Sequence, residues 1–448
     1  MSDRKVSRRE FVGDVAAAGM AFTIVPRHVL GGRGFTAPSD TLNVACVGVG
    51  GKGHSDVRGV AEAGANIYAQ CDVDLNAAED NFNAFPKAKK YRDFREMLDR
   101  EARNIDAVTV STPDHVHAAA AMMAMKGGKH VFCQKPLAHS LFEVRSMMQA
   151  ATRYKVATQM GNQGHAGEGT RILREWYEAG VIGQVKEIHY WTNRPIWPQG
   201  IERPLEAFNP PPYLDWNLWL GPAADRPYAP AYAPFRWRGW WDFGVGALGD
   251  IAPHAMDAAF WTLDLGFPAH IEAESTRVYP ETAPKVSRIT YDFPAKGDRP
   301  ALRVIWRDGE LAPPRPVGLP PEIEWPYHDV GDQVWYGTDG AFMADAYGDG
   351  LRHLDPRRHA ELTASPPAPK YARSPGVYAE WLRACKGGEP AGSNFAGHAG
   401  PLTQMVLLGN LALRMRQALD IDPSTGDVTN VPVPEEWIKP KFRSGWSL

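Results

Sequence analysis

The stretch Leu42 to Gly53, Leu-Asn-Val-Ala-Cys-Val-Gly-Val-Gly-Gly-Lys-Gly, limits what this chain can fold into more than any other. Its short apolar run is the pattern of a strand buried in a parallel sheet. The run breaks into glycines at Gly48, Gly50 and Gly53, the G-x-G-x-x-G spacing, with Gly51 in the same loop. Gly48 permits a tight turn out of the strand, and Gly50 lets a pyrophosphate approach the backbone. Gly53 lets the next helix sit close to the sheet, its N-terminal N–H groups aimed at phosphates. A helical stretch, Ser55 to Ala63, and a second strand, Asn66 to Cys71, follow. Asp72 closes the unit 19 residues after Gly53, where an acid accepts ribose hydroxyl hydrogen bonds. The stretch therefore predicts a dinucleotide site. Asp72 repels a 2′-phosphate and favours NAD over NADP, a preference that an arginine near it in space, such as Arg92, would reverse.

Strand and helix signals go on alternating. Helices are expected at Leu75–Phe85, Phe94–Arg100, Val116–Lys126 and Leu141–Arg153, and strands at Ile105–Val110, His130–Cys133 and Val156–Met160. This order predicts a doubly wound parallel sheet with right-handed crossovers. Ligands bind at the C-terminal strand ends of such sheets, and Gly48, Asp72, Ser111, Lys135 and Asn162 all fall just past predicted strands. After Gly161 the pattern changes. A helix at Thr170–Ala179 and a strand at Val185–Trp191 precede a long irregular segment, Thr192–Phe243, rich in Pro and Trp. One helix, Gly246–Leu263, is followed by strands at Ala269–Val278, Ser287–Phe293, Leu302–Arg307, Gln333–Gly337 and Ala341–Ala346, the last two flanking a Thr338-Asp339-Gly340 turn. Helices at Val377–Lys386 and Pro401–Leu419 come near the end. The expected fold is an N-terminal Rossmann domain over 39–161 and a C-terminal α+β domain with a mostly antiparallel sheet over 162–448.

Residues 1–38 read as a signal and linker. Ser7-Arg8-Arg9-Glu10-Phe11-Val12 places twin arginines before a mild apolar run, Val15–Val25, which predicts twin-arginine export to the bacterial periplasm. The run is too short for a permanent span. A net charge of −3 without a basic patch argues against nucleic acid. Cys46, Cys71, Cys133 and Cys385 have neither metal nor disulfide spacing and read as buried hydrophobes.

Two further motifs carry chemistry. Asp250 and His254 are four residues apart, on one face of a predicted helix. A carboxylate beside an imidazole orients it and raises its basicity. An N-cap aspartate with a core histidine, or two metal ligands, remain open readings. No third ligand stands nearby in sequence, so no metal is expected. Lys135, held before Pro136, points into the cleft near the nicotinamide end and polarises a reacting hydroxyl.

Taken together, Gly48–Gly53, Asp72, Ser111-Thr112-Pro113, Gln134-Lys135-Pro136 and Gly249-Asp250 with His254 and Asp257 resemble the Gfo/Idh/MocA family, that of glucose–fructose oxidoreductase and inositol dehydrogenase. Gly397–Arg416 and Arg443-Ser444-Gly445-Trp446 look like exported bacterial members. The resemblance implies an enzyme transferring hydride from a sugar, polyol or glycoside to NAD, with Lys135, Asp250 and His254 at the reaction centre, Asp250 orienting His254. It also implies homodimers or homotetramers through the open sheet. Gly48, Gly50, Gly51, Gly53, Asp72, Ser111, Thr112, Pro113, His115, Gln134 and Lys135 fall on the cofactor side, with His115 and His117 read as cofactor-side or structural rather than catalytic. Gln134 stands where the family has Glu and is expected to leave Lys135 less strongly paired. Asn162 and Gln163 are expected to hold substrate or nicotinamide. Trp191, Arg194, Trp197, Trp237, Arg238, Trp240 and Trp241 are candidates for a sugar-binding wall, with packing the competing role for each Trp. Export implies a tightly bound cofactor regenerated in place, by sugar–sugar exchange or by transient oxidation in an NAD-dependent glycosidase. A non-catalytic nucleotide-binding regulator is the remaining alternative.

Overall fold

The structure is a computed structural model that describes residues 41–325 and 330–448. The twin-arginine stretch and the apolar run after it lie outside the described residues. The compact unit Asn43–Leu448 holds two sheets.

The first sheet is six-stranded and parallel: β1 (Asn43–Val47), β2 (Asn66–Cys71), β3 (Lys89–Tyr91), β4 (Ala107–Val110), β5 (His130–Cys133) and β6 (Thr158–Met160), in the order β3-β2-β1-β4-β5-β6. β1 and β4 are buried along almost their whole length, as strands covered by helices on both faces must be. The chain reverses direction across the sheet between β1 and β4, which opens the crevice where ligands bind. β3 escaped prediction because it is three residues long, Lys-Lys-Tyr, and lies at the edge. The four cysteines are buried and free.

The second sheet is eight-stranded: β7 (Val185–Trp191), β8 (His270–Ser275), β9 (Ser287–Phe293), β10 (Leu302–Arg307), β11 (Asp332–Gly337), β12 (Ala341–Asp345), β13 (Arg352–His353) and β14 (Leu419–Asp420). Its order is β13-β12-β11-β7-β10-β9-β8-β14, antiparallel except for the β7–β10 pair. Helix Gly400–Met415 packs on one face. The other carries solvent-facing ion pairs, Arg288 with Glu274 and Arg303 with Asp292.

Three elements depart from expectation. The single helix expected over Gly246–Leu263 is two, Gly246–Ala255 and Asp257–Thr262. Pro253 cannot donate to Gly249 O, so the last turn is weakened and the axis breaks at Met256. Thr192–Phe243 is irregular but not loose. It folds around its own apolar cluster, with Trp216 stacked on Trp219 at 4.7 Å and Trp240 fully buried. A π-helical turn, Phe395–Ala399, leads into helix Gly400–Met415.

That helix lies close to the sheet because Gly409 has no side chain. A Cβ there would stand 2.0 Å from Tyr291 Oη and 3.0 Å from Leu248. Gly409→Ala is expected to cost about 1–3 kcal/mol in chemical denaturation, the range for overpacking a filled core.

Candidate functional site

Gly48 and Gly53 behave as the spacing requires, whereas the missing side chain of Gly50 makes room for helix Leu75–Ala84 rather than for a pyrophosphate, since a Cβ there would meet Ala77 Cβ at 2.6 Å. Gly48 has φ +76°, and a Cβ on it would meet Ser111 O at 2.6 Å. A Cβ on Gly53 would meet Gly48 O at 2.1 Å, whereas a Cβ on Gly51 would meet nothing within 4 Å, because Gly51 faces open space. The free N-terminal N–H groups of helix Lys52–Glu62 follow directly. A cleft of about 470 Å³ runs past Gly48, Gly51, Asp72, Ser111, Thr112 and Pro113 towards Trp237 and Arg238. A narrow backbone cradle, a helix N-terminus and an acid at the end of β2 together fit a dinucleotide.

Asp72 does more than was expected of it. Its Oδ2 accepts from Val49 N at 2.8 Å and Gly50 N at 3.0 Å, and its Oδ1 from Asp74 N at 2.9 Å. It therefore clamps the loop, and Oδ1 keeps a lone pair for a ribose hydroxyl. Burial raises its pKa, against these backbone donors. Arg92, the residue singled out as able to reverse the NAD preference, donates from Nη2 to Val73 O and Tyr213 O.

Behind the loop sits Asp56, which is fully buried. It accepts from Ser111 Oγ at 2.7 Å, Gln134 Nε2 at 2.8 Å, Tyr378 Oη at 2.7 Å and the Lys52 ammonium. A glutamate at 134 would set a second carboxylate against Asp56, so glutamine is the residue this arrangement requires. Lys135 is not left loosely paired by that change, contrary to expectation.

Lys135 Nζ donates to Asp250 Oδ1 and to Asp250 O, each at 2.8 Å, which leaves one of its three N–H groups for a ligand. Arg238 Nε reaches the same carboxylate oxygen at 3.2 Å. Burial alone would raise the Asp250 pKa, but the Lys135 ammonium and Arg238 guanidinium outweigh it and bring it to about 2. Asp250 does not orient His254 by accepting from its ring, as expected; its carboxylate is taken by these two cations, which compete better for it than a neutral ring. His254 Nδ1 is buried without a protein partner. Burial, with Lys135 adding to it, lowers the His254 pKa to about 3, so the ring is neutral at physiological pH. Asp114 lies nearby, its pKa raised to about 8 by burial and by Asp250.

The remaining candidates divide. Arg238 is held between Phe235 and Trp237, 4.4 Å from each ring, and these three line the cleft, whereas Trp197, 5.7 Å from Arg238, is buried behind them and donates to Gln199 Oε1. Arg194 contributes to the electrostatics of Tyr347, whose ring stands 5.0 Å from that of His254. Trp191 instead packs on Trp325 beyond the second sheet, and Trp240 donates to Ala231 O inside its own cluster. Trp241 turns towards Arg414, 5.3 Å away. All three are packing residues, because each lies on a strand face or loop side turned from the cleft. His115 also turns away, its ring nitrogens 3.4 Å from Phe243 O and 3.0 Å from Trp219 O, which makes it structural. Asn162 is fully buried and donates to Asp257 Oδ1 at 2.7 Å, which turns it from a substrate, whereas Gln163 is half-buried with its Nε2 buried and unpartnered.

Sequence reasoning did not find Asp56 or Tyr347, and it placed His117 with His115 as cofactor-side or structural. His117 contacts Pro136 O and Thr112 O, both at 2.9 Å, and so ties the Lys135 turn to the Thr112–Pro113 turn. Asp56 carried a faint signal as a polar residue on the buried face of its helix. Tyr347 carried none. A larger open depression of about 1030 Å³, beside His189 and His353, lies away from these groups.

A dinucleotide-type cleft whose wall residue Arg238 holds the carboxylate of a lysine–aspartate pair beside a neutral histidine, on a Rossmann sheet joined to a mixed sheet, defines a two-domain oxidoreductase class. Residues 42–162 match the model of an oxidoreductase family with an NAD-binding Rossmann fold, and residues 185–302 match its C-terminal alpha/beta domain. The chain belongs to this Gfo/Idh/MocA family. It is 31% identical over 153 residues to an inositol 2-dehydrogenase of Azotobacter vinelandii, covering 33% of this chain and 45% of that protein. It is 27% identical over 205 residues to a glycosyl hydrolase family 109 protein of Shewanella pealeana, covering 40% and 44%. These alignments thus span under half the length of the curated relatives. The WlbA dehydrogenase of Bordetella pertussis, solved with NADH and UDP-GlcNAcA, superposes with TM-score 0.59 at 17% identity, covering 85% of this chain and 99% of that one.

Asp56→Ala strands four donors around one buried site. It is expected to lower stability by about 3–5 kcal/mol in urea unfolding and to weaken dinucleotide binding measured by calorimetry.

Proposed function

We propose that this protein oxidises a secondary hydroxyl of a sugar, polyol or glycoside by hydride transfer to a tightly held NAD. The observation that carries this reading is the neutral, unpartnered His254 beside the Lys135–Asp250 pair at the end of the dinucleotide cleft. The glycine loop and Asp72 would hold the cofactor's pyrophosphate and ribose. NAD fits better than NADP because Asp72 disfavours a 2′-phosphate and Arg92 is already engaged by carbonyls. When bound, the nicotinamide supplies the hydride acceptor. His254 takes the hydroxyl proton. Lys135 donates its remaining N–H to the same oxygen as negative charge develops on it. Asp250 fixes Lys135 in place and stabilises the protonated His254 through space. Arg238, clamped between aromatic rings, anchors the carboxylate and offers its other nitrogens to sugar hydroxyls, with Trp237 and Phe235 as apolar faces for sugar C–H groups.

Three further parts of the proposal rest on sequence. The twin-arginine stretch suits export to the periplasm. Export of a folded protein suits a cofactor loaded beforehand and regenerated at the site. The open face of the second sheet suits a homodimer or homotetramer. A second reading is favoured by the similarity to the glycosyl hydrolase family 109 protein: transient oxidation, elimination of the glycosidic bond and re-reduction, with no net redox change.

The test is to denature protein purified after export and assay the released nicotinamide, then to incubate native protein with sugars and glycosides with and without added NAD. Bound NAD, with turnover that needs none added, supports the proposal, and the products separate sugar–sugar exchange from glycoside cleavage. An empty protein that reduces added NAD stoichiometrically contradicts cofactor recycling. His254→Ala is expected to lower kcat by about 10²–10⁴-fold. The base must be neutral to act, and its pKa sits near 3 rather than 6.5. The acid limb of kcat/KM is therefore expected to be absent between about pH 5 and 7. A limb centred on the ordinary imidazole value would contradict the assignment.

A further inference from the structure

Beyond the cleft, three metal-ligating side chains from distant parts of the chain converge in the interior. His165 lies in a 3₁₀ turn after β6, Asp257 opens the helix that follows His254, and His398 sits in the π-helical turn Phe395–Ala399. All three are buried, and one ligand atom from each lies within 4.8 Å of the others. His165 Nδ1 is 2.9 Å from Asp257 Oδ2, and His398 Nε2 is 2.6 Å from Asp257 Oδ1.

Two observations point past a simple hydrogen-bonded cluster. The first is charge. Asp257 is a buried carboxylate that needs a counter-charge. The neighbouring Arg171 does not supply one directly, since its Nη1 donates to Gly167 O and His165 O and its Nη2 faces Glu380. The second is Asn162, fully buried, whose amide points at Asp257 while its Oδ1 has no partner. Turning that amide over would present a carbonyl oxygen as a fourth donor.

We infer that His165, Asp257 and His398 form a binding site for one divalent transition-metal ion, with zinc the ion that imidazole and carboxylate donors select. Zinc with ligands at about 2.0–2.2 Å needs donors roughly 3.3 Å apart, so the imidazole nitrogens, now 2.6 to 3.1 Å from the Asp257 oxygens, must draw back by up to about 0.7 Å. On binding, each imidazole moves its proton from the facing nitrogen to the other one. For His165 that nitrogen has an outer carboxylate nearby. A Cβ on Gly392 would lie 2.8 Å from His165 Nε2 and 3.4 Å from Glu380 Oε2, so both border the same small space. The ion pins together the end of the parallel sheet, the helix that follows His254 and the helix that covers the second sheet. Its role is structural.

The test uses the whole protein. Elemental analysis of the purified protein is expected to find close to one zinc per chain. Growth with cobalt is expected to give the visible d–d absorption of tetrahedral Co²⁺. His165→Gln and His398→Gln keep a donor towards Asp257 but remove an imidazole ligand, so they should lose the ion and the cobalt spectrum. Chelator should lower the melting temperature of the wild type only. A folded wild type without bound transition metal, without saturable Co²⁺ absorption and insensitive to chelator would overturn the inference. So would glutamine variants that retain the ion in full.

Discussion

One ion pair joins the two halves of the cleft. Lys135 stands at the end of β5 in the parallel sheet, and Asp250 on a helix that belongs with the second sheet. Both side chains are largely out of water, with relative exposures of 15% and 14%. A buried charge without a partner costs several kcal/mol, so neither can leave the other cheaply. The pair therefore fixes where the ammonium stands relative to His254, one helical turn away. It also decides the state of that histidine, because the ammonium and burial together keep the ring uncharged. Arg238 extends the same logic outward, binding the shared carboxylate from the aromatic wall.

A second buried carboxylate organises the other end. Asp56 collects donors from the glycine-loop helix, the Ser111 turn, the Gln134 turn and helix Val377–Cys385. Ser111 lines the cleft, and Gln134 lies buried directly before Lys135. Their positions are thus set by one acid rather than by separate contacts. Gln134 in place of glutamate then follows from electrostatics: an amide can donate to Asp56, and a second carboxylate cannot. The chain resolves one charge conflict by substituting a single atom type at the residue beside Lys135.

Local patterns made much of this legible. Gly48 to Gly53, the strand–helix alternation and the Asp250/His254 spacing are short-range signals with direct geometric meaning, and they appear where the sequence places them. What the sequence hid depends on long-range packing. Trp191, Trp240 and Trp241 could have faced sugar or core, and only the tertiary packing turns them inward. Asp250 could have served His254, but Lys135 and Arg238, from remote positions, bind it first. His165, Asp257 and His398 are scattered over more than 230 residues and meet only in the folded interior. Pro253 was passed over in the single helix expected over Gly246–Leu263, and the break at Met256 sets Asp257 at a new helix start.

The central claim is that Lys135 and Asp250 act as one unit in hydride transfer. The most direct measurement is a double-mutant cycle on single-turnover formation of reduced nicotinamide, comparing wild type, Lys135→Met, Asp250→Asn and the double variant with a sugar that the wild type oxidises. The account predicts that each single variant loses most of the rate and that the double variant is little worse than either, since each change already dissolves the unit. Losses that simply add, or a Lys135→Met variant that keeps the wild-type rate, would contradict it.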